Sequence, residues 1–115
     1  MTEAARFTHV TADLVGVKPH ALGDAPALSG LLIAAAGAAG FSTIGAPVVR
    51  ALPDGGVTAV LLLDACHIAL HAFPEKELLL LDILAPATRD SRKAVEVFTR
   101  RLAPREVRNA SHARG

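Results

Sequence analysis

Between Pro53 and Leu84 the sequence sets apolar, β-branched runs against very short reversals, and this constrains the fold more than any other feature. Val57–Leu63, Cys66–Phe73 and Glu77–Leu84 each have the length and composition of a strand. Only Asp64-Ala65 and Pro74-Glu75-Lys76 separate them. Links this short leave no room for a crossover helix, so the three strands must be antiparallel neighbours. Pro53-Asp54-Gly55-Gly56, just before them, supplies the positive φ angles of a tight hairpin. That makes Thr43–Leu52 a further strand, with Pro47 marking an edge or a bulge.

The remainder supplies one more strand and two helices. Phe7–Val15 alternates roughly and is closed by Gly16 and Pro19. Asp24 suits a helix N-cap, Leu28, Leu31, Leu32, Ala35 and Ala39 follow at helical spacing, and Gly40 stops the helix. Thr88-Arg89-Asp90-Ser91 offers caps for a second helix, whose stripe is Ala94, Val95, Phe98 and Leu102 and whose end is Pro104. From Arg105 the chain is expected to be a loose basic tail or to hold a short edge strand around Val107. The order strand, helix, four strands, helix predicts an α+β, two-layer α/β sandwich: an antiparallel sheet with two helices on one face. We expect a single domain over 1–115, with a core at about 7–103 and a tail at 104–115. Leu78-Leu79-Leu80-Leu81 does not alternate, so both faces of that strand need cover. Helices cover one face; a second protomer is expected on the other, giving a homodimer with apposed sheets.

Composition excludes several classes of function. Lys+Arg 12 against Asp+Glu 11 leaves a net charge of +1, which argues against phosphate neutralisation and hence a nucleic-acid partner. One cysteine cannot form an internal disulfide, and no Cys/His spacing suits a metal. No basic-then-apolar leader opens the sequence, and Leu28–Ala39 is too short to span a bilayer, so a cytoplasmic location without membrane contact is expected. No repeat and no glycine-rich phosphate loop is present.

The stretch with chemical potential is 64–75, where Cys66, His67 and His71 fall within six positions. On a strand, His67, Ala69, His71 and Phe73 share one face, while Cys66, Ile68 and Leu70 share the other. A thiol and two imidazoles between apolar strands can perform chemistry. The same residues also read as a small buried thiol and structural histidines, with Glu75 an ordinary turn carboxylate and Thr58 a β-former.

Cys66-His67-Ile68-Ala69-Leu70-His71-Ala72-Phe73-Pro74-Glu75 resembles the Ser-His-x-(Ser/Thr)-x-His-(Thr/Ser)-(Trp/Tyr)-Pro-Glu segment of the prokaryotic S-adenosylmethionine decarboxylase family. His9, Asp13 and Gly16 resemble its opening strand, Pro53 and Gly56-Val57-Thr58 the approach to its cleavage strand, and Leu81-Asp82-Ile83 the strand after it; the likeness covers roughly 7 to 103. It implies a proenzyme that cleaves itself and begins its new chain with a pyruvoyl group, the electron sink for decarboxylation in polyamine (spermidine) biosynthesis. By position, Cys66 would be the processing residue and source of the pyruvoyl, His71 the base that takes its α-proton, and Thr58 the hydroxyl that steadies the cyclic intermediate. Glu75 would bind the amine or amino-acid substrate, with Phe73 and His67 beside it.

Three departures from the family pattern stand out. Cys66 replaces serine, so the internal shift would give a thioester. Pro86 stands at the family's catalytic cysteine and has no proton to give. Val49 and Ala51 stand where a histidine and an adenine-stacking aromatic are usual. Two other functions are therefore weighed: an unprocessed, inactive homologue that binds a metabolite or a partner subunit, and a pyruvoyl-dependent ornithine or arginine decarboxylase.

Overall fold

The Asp54-Gly55-Gly56 reversal forms as its residues dictate: Gly55 takes φ 89°, Leu52 N–H donates to Gly56 O at 2.8 Å, and Gly56 N–H donates to the Asp54 carboxylate at 2.9 Å. From this turn the rest of the sheet follows. The computed structural model describes residues 5–115 and shows β1 (Phe7–Val15), α1 (Pro19–Leu22), α2 (Ala25–Ala38), β2 (Val48–Ala51), β3 (Val57–Leu62), β4 (His67–Phe73), β5 (Leu78–Pro86), α3 (Ser91–Leu102) and β6 (Glu106–Arg114). Residues 1–4 of the expected 1–115 domain lie outside the described residues. All paired strands are antiparallel, in the order β2-β3-β4-β5-β1-β6. This is an α+β two-layer sandwich, as expected.

Side-chain parity sorts the two faces. Val10, Ala12 and Leu14, Val57, Ala59 and Leu61, Ile68, Leu70 and Ala72, and Leu79, Leu81, Ile83 and Ala85 are all buried against the helices. α2 contributes Leu28, Leu31, Leu32, Ala35 and Ala36, and its alanines let it lie close to the sheet. Asp24 caps it, accepting from Ala27 N–H at 3.1 Å. α3 starts at an Asp90 cap and buries Ala94, Val95 and Phe98. Burial of the Phe98 ring alone contributes about 1.5–3 kcal/mol.

The sequence reading needs three corrections. Residues 104–115, expected as a tail with room for a short strand, form the nine-residue β6, paired along the whole of β1 from Val15↔Glu106 to Phe7↔Arg114. Backbone pairing places it there, since its side chains are almost all exposed. The strand expected over Thr43–Leu52 is only Val48–Ala51, preceded by a loop carrying Gly45 and Pro47; as the outermost strand, it tolerates that proline. A third helix, α1, is a single turn that buries Leu22.

Candidate active site

Cys66 lies in the reversal between β3 and β4, just outside β4, with φ 67°. A non-glycine residue in this left-handed region is strained by contact of its Cβ with the backbone. Strand parity therefore does not apply to it, and the expectation that Cys66 shares a face with Ile68 and Leu70 is corrected: it is half-buried, in a turn. The turn is tied by Leu63 N–H to Cys66 O at 3.0 Å and by Asp64 N–H to Ser42 O at 2.7 Å. Arg89 hydrogen-bonds the Asp64 carboxylate at 2.9 Å and holds its pKa below the ordinary carboxylate value. The peptide bond before Cys66 thus sits in a braced, strained turn.

Parity does hold for β4: His67, Ala69, His71 and Phe73 face away from the helices. Thr58 stands opposite His71, with its Oγ1 3.1 Å from His71 Nδ1. This joins two residues that the family likeness had linked. It does not join them to Cys66, because His71 is four residues further along β4 than His67, about 13 Å at strand rise. Phe73 and Glu75 lie further still, in and just after the end of β4, where Lys76 Nζ sits 5.3 Å from the Phe73 ring. The hollow there, lined by Asp54, Phe73, Pro74, Glu75 and Lys76, has only about 60 Å³. The candidate residues therefore form two groups at opposite ends of one strand.

Around His67 the structure adds residues read from the sequence only as landmarks. His9 Nε2 lies 2.7 Å from Asp82 Oδ1, and His67 Nε2 lies 3.6 Å from the same oxygen. Asp82, on β5 between the two histidine-bearing strands, is a carboxylate both imidazoles can address. It was visible as the only charge in the apolar run Leu78–Leu84. Val49 packs against the core, and Ala51 pairs with Val57 on the same helix-facing side. Arg50 instead pairs with Thr58, on the open side. Pro86 ends β5 opposite Phe7, also on the open side.

That open side carries Phe7, His9, Thr11, Asp13, Thr58, Val60 and Leu62 together with the outward residues of β4 and β5. Leu62 is 57% exposed and Phe7 38%. A concavity of about 980 Å³ lies elsewhere, on the helix side between α3 and β6. The reactive face is therefore an uncovered sheet surface. Among the described residues no helix is long and apolar enough to cross a membrane.

Fold and site together define a two-layer α+β protein that presents a strained, cysteine-bearing turn and an imidazole-rich strand on the bare face of its sheet. Comparison with known proteins places it more closely. A family model described as S-adenosylmethionine decarboxylase matches residues 8–115. The chain belongs to the S-adenosylmethionine decarboxylase family. It is 34% identical to the arginine decarboxylase proenzyme of Aeropyrum pernix, over 85% of this chain and 76% of that one. It is 35% identical to the S-adenosylmethionine decarboxylase proenzyme of Symbiobacterium thermophilum over 59% of this chain, a match that spans about half (51%) of that relative's length. A crystal structure of the adenosylmethionine decarboxylase from Aquifex aeolicus superposes with a TM-score of 0.88 at 26% identity, covering 98% of this chain and 93% of that one.

Proposed function

We propose that the chain is a self-processing S-adenosylmethionine decarboxylase of polyamine biosynthesis, acting in the cytoplasm as a homodimer with a pyruvoyl group derived from Cys66. The observation that carries this reading is the left-handed Cys66 in its braced turn, at the place where the family likeness sets the cleaved bond. Cys66 suits the group chemically, since its sulfur can both attack and, once acylated, leave from Cβ. Sγ adds to the Ala65 carbonyl carbon, the bond from that carbon to the Cys66 nitrogen breaks, and the thiol proton ends on the freed amine. Removal of the Cα proton of residue 66 then expels the Ala65 thiocarboxylate. The dehydroalanine so formed at residue 66 tautomerises to an imine, and water adds to its carbon; the carbon–nitrogen bond breaks, ammonia leaves, and the water oxygen becomes the ketone oxygen. A pyruvoyl group at residue 66 would supply a carbonyl for the substrate amine and a sink for the electrons released with carbon dioxide.

Geometry supports the dimer in this reading. One protomer holds Cys66 and the His9–Asp82–His67 group at one end of β4 and Thr58, His71, Phe73 and Glu75 at the other. A two-fold axis in the open face and perpendicular to its strands would lay one end of each strand over the other end of its partner's. His71 of the partner subunit then takes the Cα proton at Cys66, with Thr58 beside it. Glu75 and Phe73 come from the same end to hold the substrate, opposite His67. Apposition also encloses a face that in one chain is open to water, which strengthens each charge interaction there.

A second reading, decarboxylation of arginine or ornithine, is supported by the 34% identity to a relative named arginine decarboxylase proenzyme; Val49 and Ala51 face the helices and do not bear on it. Release of carbon dioxide from S-adenosylmethionine, arginine and ornithine, each offered separately, tests both. The account expects release from one of them and, with borohydride present, a covalent adduct of that amine on the fragment that begins at residue 66. Metabolite binding without adduct or carbon dioxide would replace both enzyme readings with an unprocessed binding protein.

A further inference from the structure

Arg89 lies 23 residues beyond Cys66, in the loop between β5 and α3, yet its side chain reaches back to the turn that carries Cys66. One guanidinium nitrogen donates to Gly40 O at 2.7 Å, just past the end of α2, and the other donates to Asp64 Oδ2 at 2.9 Å. The guanidinium carbon stands 5.1 Å from the centre of the Phe41 ring, itself buried. Asp64 is held from a further direction. Its own N–H donates to Ser42 O at 2.7 Å. Ala65 is the residue whose carbonyl must face the sulfur. Leu63, on the other side of Asp64, is bridged to Thr43 and donates to Cys66 O.

We infer that Arg89 is a positioning residue for self-cleavage: by pinning Asp64 to the end of α2, it keeps the Asp64-Ala65-Cys66 turn closed and Cys66 in its left-handed conformation. The inference rests on the self-processing reading above. A non-glycine residue persists at positive φ only where its surroundings over-determine it, and the surroundings of this turn converge on Asp64. The planar fork matters as much as the charge, because Arg89 satisfies a carbonyl and a carboxylate on two separate segments at once. An ammonium at this place can reach one of them with good geometry, but not hold both in register.

The test is a time course of the intact mass of freshly purified protein, with and without hydroxylamine to capture the thioester, for the parent, Arg89→Lys, Arg89→Ala and the exchanged pair Asp64→Arg with Arg89→Asp. Thermal melting is recorded alongside. Arg89→Ala should slow scission between Ala65 and Cys66 on the order of ten- to a hundredfold, as expected when remote groups misplace reacting atoms by about an ångström. Arg89→Lys should fall between, and the exchanged pair should recover part of the rate, while all variants melt within a few degrees of the parent. Scission at the parental rate in both Arg89→Ala and Arg89→Lys would overturn the inference and leave self-processing standing. Absence of scission from the parent and from Cys66→Ser alike, even with hydroxylamine, would remove self-processing and this role of Arg89 together.

Discussion

Thr58 and His71 face each other across the β3–β4 ladder, hydroxyl to imidazole at 3.1 Å, and neither can reach Cys66 of its own chain. The hydroxyl fixes the ring's orientation, leaving its other nitrogen free to act on something above the sheet. That something is a second copy's Cys66 turn if two open faces meet about a two-fold axis. Intersubunit chemistry is the most consequential expectation of this structure.

Co-expression of Cys66→Ala with His71→Ala chains checks it. Cys66→Ala has nothing to cleave with, and His71→Ala should stall at the thioester, without a ketone. A mixed dimer should restore one complete site, so a carbonyl reagent should label the His71→Ala chain only when the Cys66→Ala chain is present. Labelling of His71→Ala by itself, or of neither chain in the mixture, would contradict the intersubunit site.

The two faces of the sheet should respond differently to substitution. Phe98→Ala hollows the helix side and should cost about 3–5 kcal/mol in denaturant unfolding at low protein concentration. Leu62→Glu, on the open face, should change that stability by no more than about 0.5 kcal/mol but shift the species seen by light scattering from dimer to monomer. A Leu62→Glu protein that remains dimeric would place the interface elsewhere.

Replacing the sulfur by oxygen should help rather than hurt. An ester is more favoured against the amide than a thioester, so Cys66→Ser should accumulate more of the shifted species and cleave about tenfold faster, a barrier difference of about 1.4 kcal/mol. Fragment mass against time reads this directly. A serine variant slower than the parent would mean that the turn is shaped for sulfur.

Acid should loosen the cleavage turn. Arg89 holds the Asp64 carboxyl below its ordinary value of 3.8, so the folded state binds that proton more weakly than the unfolded chain does. The stabilisation is therefore complete above the ordinary value and is lost as pH falls through the lowered one. The parent should melt above Asp64→Asn at neutral pH, and the two should converge in acid. Carboxyl NMR should show Asp64 of Arg89→Ala titrating closer to 3.8 than the parent does. Equal titration in both would deny the ion pair its effect.

How much of this was legible before the structure depends on the range of each signal. Strands β3 to β5 were written in local chemistry: short apolar runs, Asp-Gly and Gly-Gly reversals, and links too short for a crossover. Helices α2 and α3 announced themselves through Asp24 and Asp90. Strand β6 did not, because Glu-Val-Arg-Asn-Ala-Ser-His-Ala-Arg has no apolar face, and its backbone pairing with β1 leaves no mark in the pattern. Cys66 was misplaced on the buried face because strand parity was extended one residue into a turn of positive φ. The clusters around Asp82 and Arg89 were missed because His9 and Asp82 stand 73 positions apart and Asp64 and Arg89 stand 25 apart, and only the closed sheet brings each pair together.

The most direct measurement is the intact mass of the purified polypeptide. The account predicts that the 11.9 kDa species gives way to two fragments divided between Ala65 and Cys66, the larger ending in a thiocarboxylate and the smaller lacking a free amino terminus. A spectrum holding only the unbroken chain, unchanged by prolonged incubation, would contradict it.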